Sequence, residues 1–287
     1  MHTRSRVNNP TKRLGGKANL ARWIVGHLPR HRAYVEAFAA SASVLLNKPP
    51  SRLEVINDID DIWVNTYSVI RDRAEDLAAA VECTPYSRTE FESAREILPR
   101  WKELKLPALE AARLHLVVVR QSFSAGGQSW SRSTVRGENR AKLWATLPDV
   151  IIRTMHRLRG VYIECRDYKK VLRRYDGEDT TFYLDPPYVG VEKNYYAANQ
   201  AEGFDHDELR QVVDNLKGSV VISYYRSDYI LKLYDGWRIA SKRVTVHAGD
   251  TKRQETELLL IRASEFGRKR RKRMQPLFDD DGNPLLL

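Results

Sequence analysis

Two consecutive prolines set directly behind a short apolar run constrain this chain more than any other feature. Thr181-Phe182-Tyr183-Leu184 reads as a buried strand, and Asp185-Pro186-Pro187-Tyr188 follows with no spacer. Proline fixes φ and lacks an N–H, so a sheet ladder must end there, and the Pro186 carbonyl is left to accept from a ligand. A rigid acidic and aromatic loop at the carboxyl end of a strand is where open α/β sheets place their ligands. Asp185 and the Pro186 carbonyl offer two acceptors and Tyr188 a flat face, a socket suited to a planar ring with an exocyclic amine, such as adenine. Taken alone, the tetrapeptide fits an ordinary proline turn equally well.

The flanking pattern favours the first reading. Leu20, Ile24 and Leu28 recur at helical spacing, which predicts a helix from Asn19 to Leu28 that stops at Pro29. A strand is expected over Ala33 to Phe38, a short helix capped by Ser41 and Ser43, a strand over Leu53 to Ile56, and a helix opened by Asp60 and running to about Arg71. This alternation predicts a parallel, twisted sheet with right-handed crossovers. From Arg73 to Gly160 only helical periodicities occur, around Glu75–Val81, Thr89–Leu98, Ala108–Arg120 and Lys142–Arg159. Strands return at Val161–Glu164, Thr181–Leu184, Ser219–Ser223, Trp237–Val246 and Glu257–Ile261. The expected organisation is a discontinuous sheet domain (1–72 and 161–264), a helical insertion (73–160) and a basic tail (265–287).

Composition sets the class of partner. The chain has 287 residues, 42% of them hydrophobic, enough for a full core, and the run Arg268-Lys269-Arg270-Arg271-Lys272-Arg273 supplies six of a net charge of +11. The remaining +5 favours a polyanion, nucleic acid being the commonest, while the run itself reads equally as a solvated tail. No apolar run approaches membrane-spanning length and no secretory pattern opens the chain, so a cytoplasmic location is expected. Cys83 and Cys165 lack zinc or redox spacing and read as reduced, structural residues; no cluster of ligand-type residues suggests a metal.

Six short elements in one order resemble the Dam-like DNA adenine-N6 methyltransferases. Gly15-Gly16-Lys17 is similar to the family's amino-terminal element, and Glu36-Ala37-Phe38-Ala39-Ala40-Ser41-Ala42-Ser43 to its cofactor loop. Asn57-Asp58-Ile59-Asp60 resembles the acidic turn after the second strand, and Glu164-Cys165-Arg166-Asp167-Tyr168 the acidic and aromatic pair before the catalytic strand. Asp185 to Tyr188 matches the catalytic loop, and Phe204-Asp205-His206-Asp207-Glu208-Leu209 the helix start beyond it. The fold implied is a Rossmann-like α/β methyltransferase that uses S-adenosylmethionine, with the helical insertion in the place of target recognition.

The resemblance implies a role for each residue. Gly16, Lys17, Glu36, Phe38, Ala40, Ser41, Asp58, Ile59, Asp167, Tyr168 and Asp185 would surround the cofactor, with Asp58 on the ribose hydroxyls, Ile59 on the adenine and Asp167 at its amine. Asp185, Pro186, Pro187 and Tyr188 would hold a target adenine flipped out of the duplex. Arg120, Gln121, Ser122, Gln128 and Arg132 lie on or beside a polar loop with glycines and an aromatic, and suit mixed phosphate and base-edge contacts with double-stranded DNA. A monomer acting in a bacterial or phage-infected cell, as in restriction-modification, fits this picture.

Two other readings stand beside it. Ala40 and Ala37 replace the glycine and proline of the family loop, so a DNA-binding relative that has lost cofactor binding is one alternative. Methylation of RNA or protein by the same fold is the other. Tyr224 stands where relatives carry a small residue.

Overall fold

A computed structural model describes residues 9–11, 16–123, 126–133, 137–189, 203–248 and 251–268. Gly15, the loop residues Ser124 and Ala125, Arg136, and the basic run beyond Arg268 lie outside them.

Seven strands form one sheet in the order β3-β2-β1-β4-β5-β7-β6. They are β1 (Ala33–Glu36), β2 (Leu53–Asn57), β3 (Val161–Glu164), β4 (Thr180–Leu184), β5 (Ser219–Tyr225), β6 (Arg238–Ala248) and β7 (Thr251–Arg262). The first five are parallel, as the alternation predicts. The last two depart from it: β7 runs antiparallel to β5, and β6 antiparallel to β7. The physical reason is the connection, because too few residues separate β6 from β7 for the crossover that a parallel pair needs. Chain order reverses between β1 and β4, and at such a switch point the loops leaving two neighbouring strands diverge and open a crevice.

Side chains alternate across the sheet with period two and supply two cores. Tyr34, Ile56, Tyr183, Val221, Leu259 and Ile261 face one side, with the helical segment 74–158 packed over them. Val35, Val55, Phe182, Leu184, Val220, Ile222, Leu258 and Leu260 face the other. The helices of the first layer are α1 (Ala21–His27), α2 (Ser43–Asn47), α3 (Asp61–Asp72), α4 (Ala74–Glu82), α5 (Arg88–Ile97), α6 (Ala108–Gln121), α7 (Arg140–Ala145) and α8 (Leu147–Leu158). On the second side lie α9 (Tyr168–Arg174), α10 (His206–Asp214) and α11 (Asp228–Leu233).

Local chemistry moves several boundaries. The first expected helix begins as a 3-10 turn, Lys17–Asn19, before α1. The periodicity over 142–159 breaks into α7 and α8 because Pro148, which has no N–H to give, occupies the first turn of a new helix. Ser41 and Ser43 do not cap α2: the cap position is Ala42, in a left-handed conformation without a side-chain cap bond, and the two hydroxyls bond each other at 2.9 Å. Asp60 caps α3 as expected, accepting from the Ile62 N–H. Cys83 and Cys165 are free and exposed, not interior structural residues. Among the described residues no helix is long and apolar enough to cross a membrane.

Candidate active site and cofactor edge

Four loops meet at the carboxyl ends of the parallel strands. Buried Asn57, at the end of β2, fastens three of them: its amide N–H groups donate to the carbonyls of Ala37 (3.0 Å) and Arg166 (2.9 Å), and its oxygen accepts from the Arg166 N–H (2.9 Å). The Ala39 N–H donates to the Asn57 carbonyl. In the sequence Asn57 stands out only as a neighbour of Asp58, although an amide carries two donors and an acceptor on one side chain and so can tie several loops at once.

Asp58 is half-buried, and its carboxylate accepts from the Ala40 N–H at 2.7 Å and the Asp60 N–H at 3.0 Å. Ile59 beside it is 56% exposed, an apolar surface at the rim. Asp167 caps α9 through the Lys169 N–H. Phe38, Tyr168 and Phe204 form a ring cluster with centroids 5.2 to 5.9 Å apart. An apolar rim, two carboxylates and a group of aromatic faces along one edge fit a nucleoside, so the residues present suit the adenosine part of S-adenosylmethionine. Two further expected residues differ in exposure. Ser41 is buried under Asn9, which donates to its carbonyl and to the Ser43 hydroxyl. Gly16 is exposed at the start of the 3-10 turn. Buried Tyr224 fills space with its ring, its phenol bonded to His206 Nδ1 at 2.8 Å.

Ala40 has φ of 38° and Ala42 of 46°, both in the left-handed region that costs a residue with a Cβ about 1–2 kcal/mol. This is where the family pattern carries glycine, and the structure gives the reason. Ala40 is half-buried and packs on the first core cluster. Ala40→Gly is expected to stabilise the fold by about 0.5–1 kcal/mol, the relief of strain being partly offset by the freer unfolded chain. Urea denaturation checks this, and a midpoint at or below that of the wild type refutes it. Ala42 is fully buried, so loss of its methyl would cancel most of the gain there.

Across the switch point lies the second half of the site. Lys17, 8% exposed at its side chain, places Nζ 2.9 Å from Asp185 Oδ1, 3.8 Å from Glu257 Oε1 and 4.8 Å from the centre of the Tyr188 ring. The Tyr188 phenol donates to Glu257 Oε1 at 2.6 Å, and its ring meets Tyr225 edge-on at 4.6 Å. Burial opposes the Lys17 charge, but the Asp185 and Glu257 carboxylates outweigh it and hold the ammonium above its ordinary range. One ammonium serves two carboxylates, and burial with Asp185 nearby raises the Glu257 carboxyl. Beneath them Glu36 is 2% exposed, accepting from the Tyr34 phenol (3.0 Å) and the Leu45 N–H (2.9 Å); burial pushes it up to about 8. Glu257 escaped the sequence reading. Its signal was a glutamate opening the apolar run Leu258 to Ile261, in the register of the inward residues Leu259 and Ile261.

The loop expected to meet DNA is only partly outward. Gln121 is fully buried, its amide accepting from the Ser87 N–H and donating to the Pro85 carbonyl, and Ser122 is buried beside it. Helix α6 turns Gln121 inward and Ser122 follows it in extended backbone, so neither is available as a reader. Gln128 and Arg132 are exposed. Arg120 is half-buried and donates to the Asn9 carbonyl at 3.5 Å; burial and the neighbouring Arg140 bring its guanidinium down to about 10. Arg88 lies over the Trp130 ring and Arg95 donates to the Gln128 carbonyl, two cations brought beside the loop from α5, more than thirty positions away in the chain.

A sheet of this order, with an acidic, proline-locked loop at its switch point, defines a Rossmann-like α/β protein whose ligand crevice lies at the strand ends. Comparison with family descriptions carries this further: residues 14–248 match the D12 class N6 adenine-specific DNA methyltransferases. The chain belongs to that family and is an adenine-N6 methyltransferase, and membership implies S-adenosylmethionine as methyl donor and DNA as substrate. No curated protein matches the chain. Among solved structures, an rRNA methylase from Streptococcus thermophilus is similar at 10% identity with a TM-score of 0.32, over 84% of this chain and 93% of that one. Among the described residues no group of three or more His, Cys, Asp or Glu side chains is arranged to hold a metal ion.

Proposed function

We propose that the protein methylates the N6 amine of an adenine flipped out of duplex DNA, with Asp185, Pro186, Pro187 and Tyr188 holding the base. The observation that carries this reading is the placement of Lys17: a nitrogen cation already lies between the Asp185 carboxylate and the face of Tyr188. An amine gaining positive charge during alkylation would find the same two partners there. Asp185 and the Pro186 carbonyl accept the two amine hydrogens, which turns the nitrogen lone pair out of ring conjugation. Tyr188 stacks on the base, a contact worth about 1–3 kcal/mol. The Asp185 carboxylate then offsets the charge that develops on nitrogen, an interaction stronger in the transition state than before it.

S-adenosylmethionine, when bound, supplies an electrophilic methyl group on a sulfonium. Asp58, Ile59, Asp167, Tyr168 and Phe38 would hold its adenosine part, and Lys17, Glu36 and the Ala40 loop would border the rest. The packing of Ala40 against the core favours this active reading over a relative that has lost its cofactor, since a methyl group held in packing is not free to block the crevice. Residues 73–160 serve target recognition in this proposal, with Arg120 and Arg132 on phosphates and Gln128 on a base edge.

The deciding experiment incubates the protein with plasmid DNA lacking adenine methylation and labelled S-adenosylmethionine, with RNA and peptide as competing acceptors. N6-methyladenine in the recovered DNA is expected. Its absence at saturating cofactor, or transfer to RNA or peptide instead, removes the proposal.

A further inference from the structure

We propose that Glu257 positions the target base, orienting Tyr188 through its phenol and giving Lys17 a second carboxylate so that Asp185 can be released to the incoming amine. This rests on the reading of Asp185 to Tyr188 as the base pocket.

The placement of Glu257 is unusual for a sheet residue. It is 2% exposed and shares the inward face of β7 with Leu259 and Ile261, where an apolar side chain would complete the core at no electrostatic cost. A carboxylate buried there is retained only against strong partners. It has two, both belonging to the pocket: the Tyr188 phenol at 2.6 Å and Lys17 at 3.8 Å. Opposite it on β5 stands Tyr225, whose ring meets Tyr188 edge-on. Tyr188 follows two prolines and lies outside the strand ladder, so side-chain contacts must set the angle of its ring. Rings of Tyr225 and Tyr224 pack against it at 4.6 and 5.5 Å, and the phenol bond to Glu257 is the directional contact that sets its rotation.

Lys17 gives Glu257 its second task. The ammonium lies over the Tyr188 ring and on Asp185, the two groups a base needs, so it has to withdraw when the base arrives. A buried cation that leaves its only anion is strongly disfavoured. With Glu257 already beside it, Lys17 exchanges one carboxylate for another and stays paired.

The test measures kcat and KM on unmethylated plasmid DNA, with S-adenosylmethionine affinity by calorimetry, for Glu257→Ala, Glu257→Gln, Tyr188→Phe and the Glu257→Ala/Tyr188→Phe double variant. Glu257→Ala is expected to lower kcat about 100-fold, the scale of a reacting group displaced by an ångström, without loss of cofactor affinity. Tyr188→Phe keeps the ring but loses its anchor and should fall about tenfold. The double variant should be no worse than Glu257→Ala, and Glu257→Gln, which still accepts from the phenol, should recover part of the loss. Multiplicative losses in the double variant overturn the proposal, as does wild-type kcat for Glu257→Ala. Should Glu257→Ala fail to fold by circular dichroism, wild-type kcat in both Glu257→Gln and Tyr188→Phe overturns it instead. Asp185→Ala separates the levels: wild-type turnover there sinks the base-pocket reading, whereas an inactive Asp185→Ala beside fully active Glu257 variants sinks only the role of Glu257.

Discussion

Asp185→Ala is expected to reduce methyl transfer by about 100- to 1,000-fold, the scale seen when one preorganised electrostatic partner of a transition state is removed. The effect should fall on kcat, because the carboxylate matters most as the amine becomes cationic. Affinity for S-adenosylmethionine should stay nearly intact, since Asp58, Ile59 and Tyr168, the groups proposed to hold its adenosine part, follow β2 and β3 while Asp185 follows β4. The structure adds a complication: Asp185 also pairs with Lys17 at 2.9 Å, so its loss leaves the ammonium with Glu257. Asp185→Asn keeps the shape while removing the charge and serves as the control. Single-turnover kinetics with calorimetry checks the prediction, and wild-type turnover in either variant would mean that another group receives the amine.

Stability of the cofactor-free protein is expected to fall as pH rises from about 5.5 to 7.5, by about 2–3 kcal/mol from one proton. The cause is Glu36, which burial pushes from an ordinary 4.5 to about 8. A carboxyl raised on folding keeps a proton that the unfolded chain releases. Its contribution is therefore complete below 4.5, declines by about 1.4 kcal/mol per pH unit and has vanished above about 8. Two other shifted groups act outside this window. The Glu54 carboxyl, buried but bonded to Arg157 and Lys48, is held below its ordinary value and acts only at more acid pH. Lys17, raised above 10.5, acts only at alkaline pH. Glu257 is also raised and adds to the slope, so Glu36→Gln should remove one proton of it and not all. Urea titrations across this window measure the slope, and an identical one in Glu36→Gln would rule Glu36 out.

The parts of the site that were legible in the sequence are those made by neighbours in the chain. The proline-locked loop, the acidic end of β2 and the Asp60 cap all follow from residues within a few positions of one another, where strand patterning and capping chemistry act. Gln121 and Ser122 show the limit. Both look like polar loop residues, yet both are buried at the end of α6, and Gln121 spends its amide on Pro85 and Ser87, more than thirty positions away. The direction of β6 and β7 was hidden for a similar reason, since periodicity reports a strand but not the sense of its neighbour.

By itself the sequence determined the order of strands and helices, the punctuation that ends each strand, and the chemical kinds of group at the strand ends, because local sterics and side-chain period dictate these. Only the tertiary structure decided which groups meet. It brought Glu257 to Tyr188 across 69 positions and Lys17 to Asp185 across the switch point, and it set Ala40 in a left-handed turn over Asp58. Those encounters depend on sheet order and on which face each residue occupies. Both are settled when two apolar faces are buried together, and neither is written in any short stretch of chain.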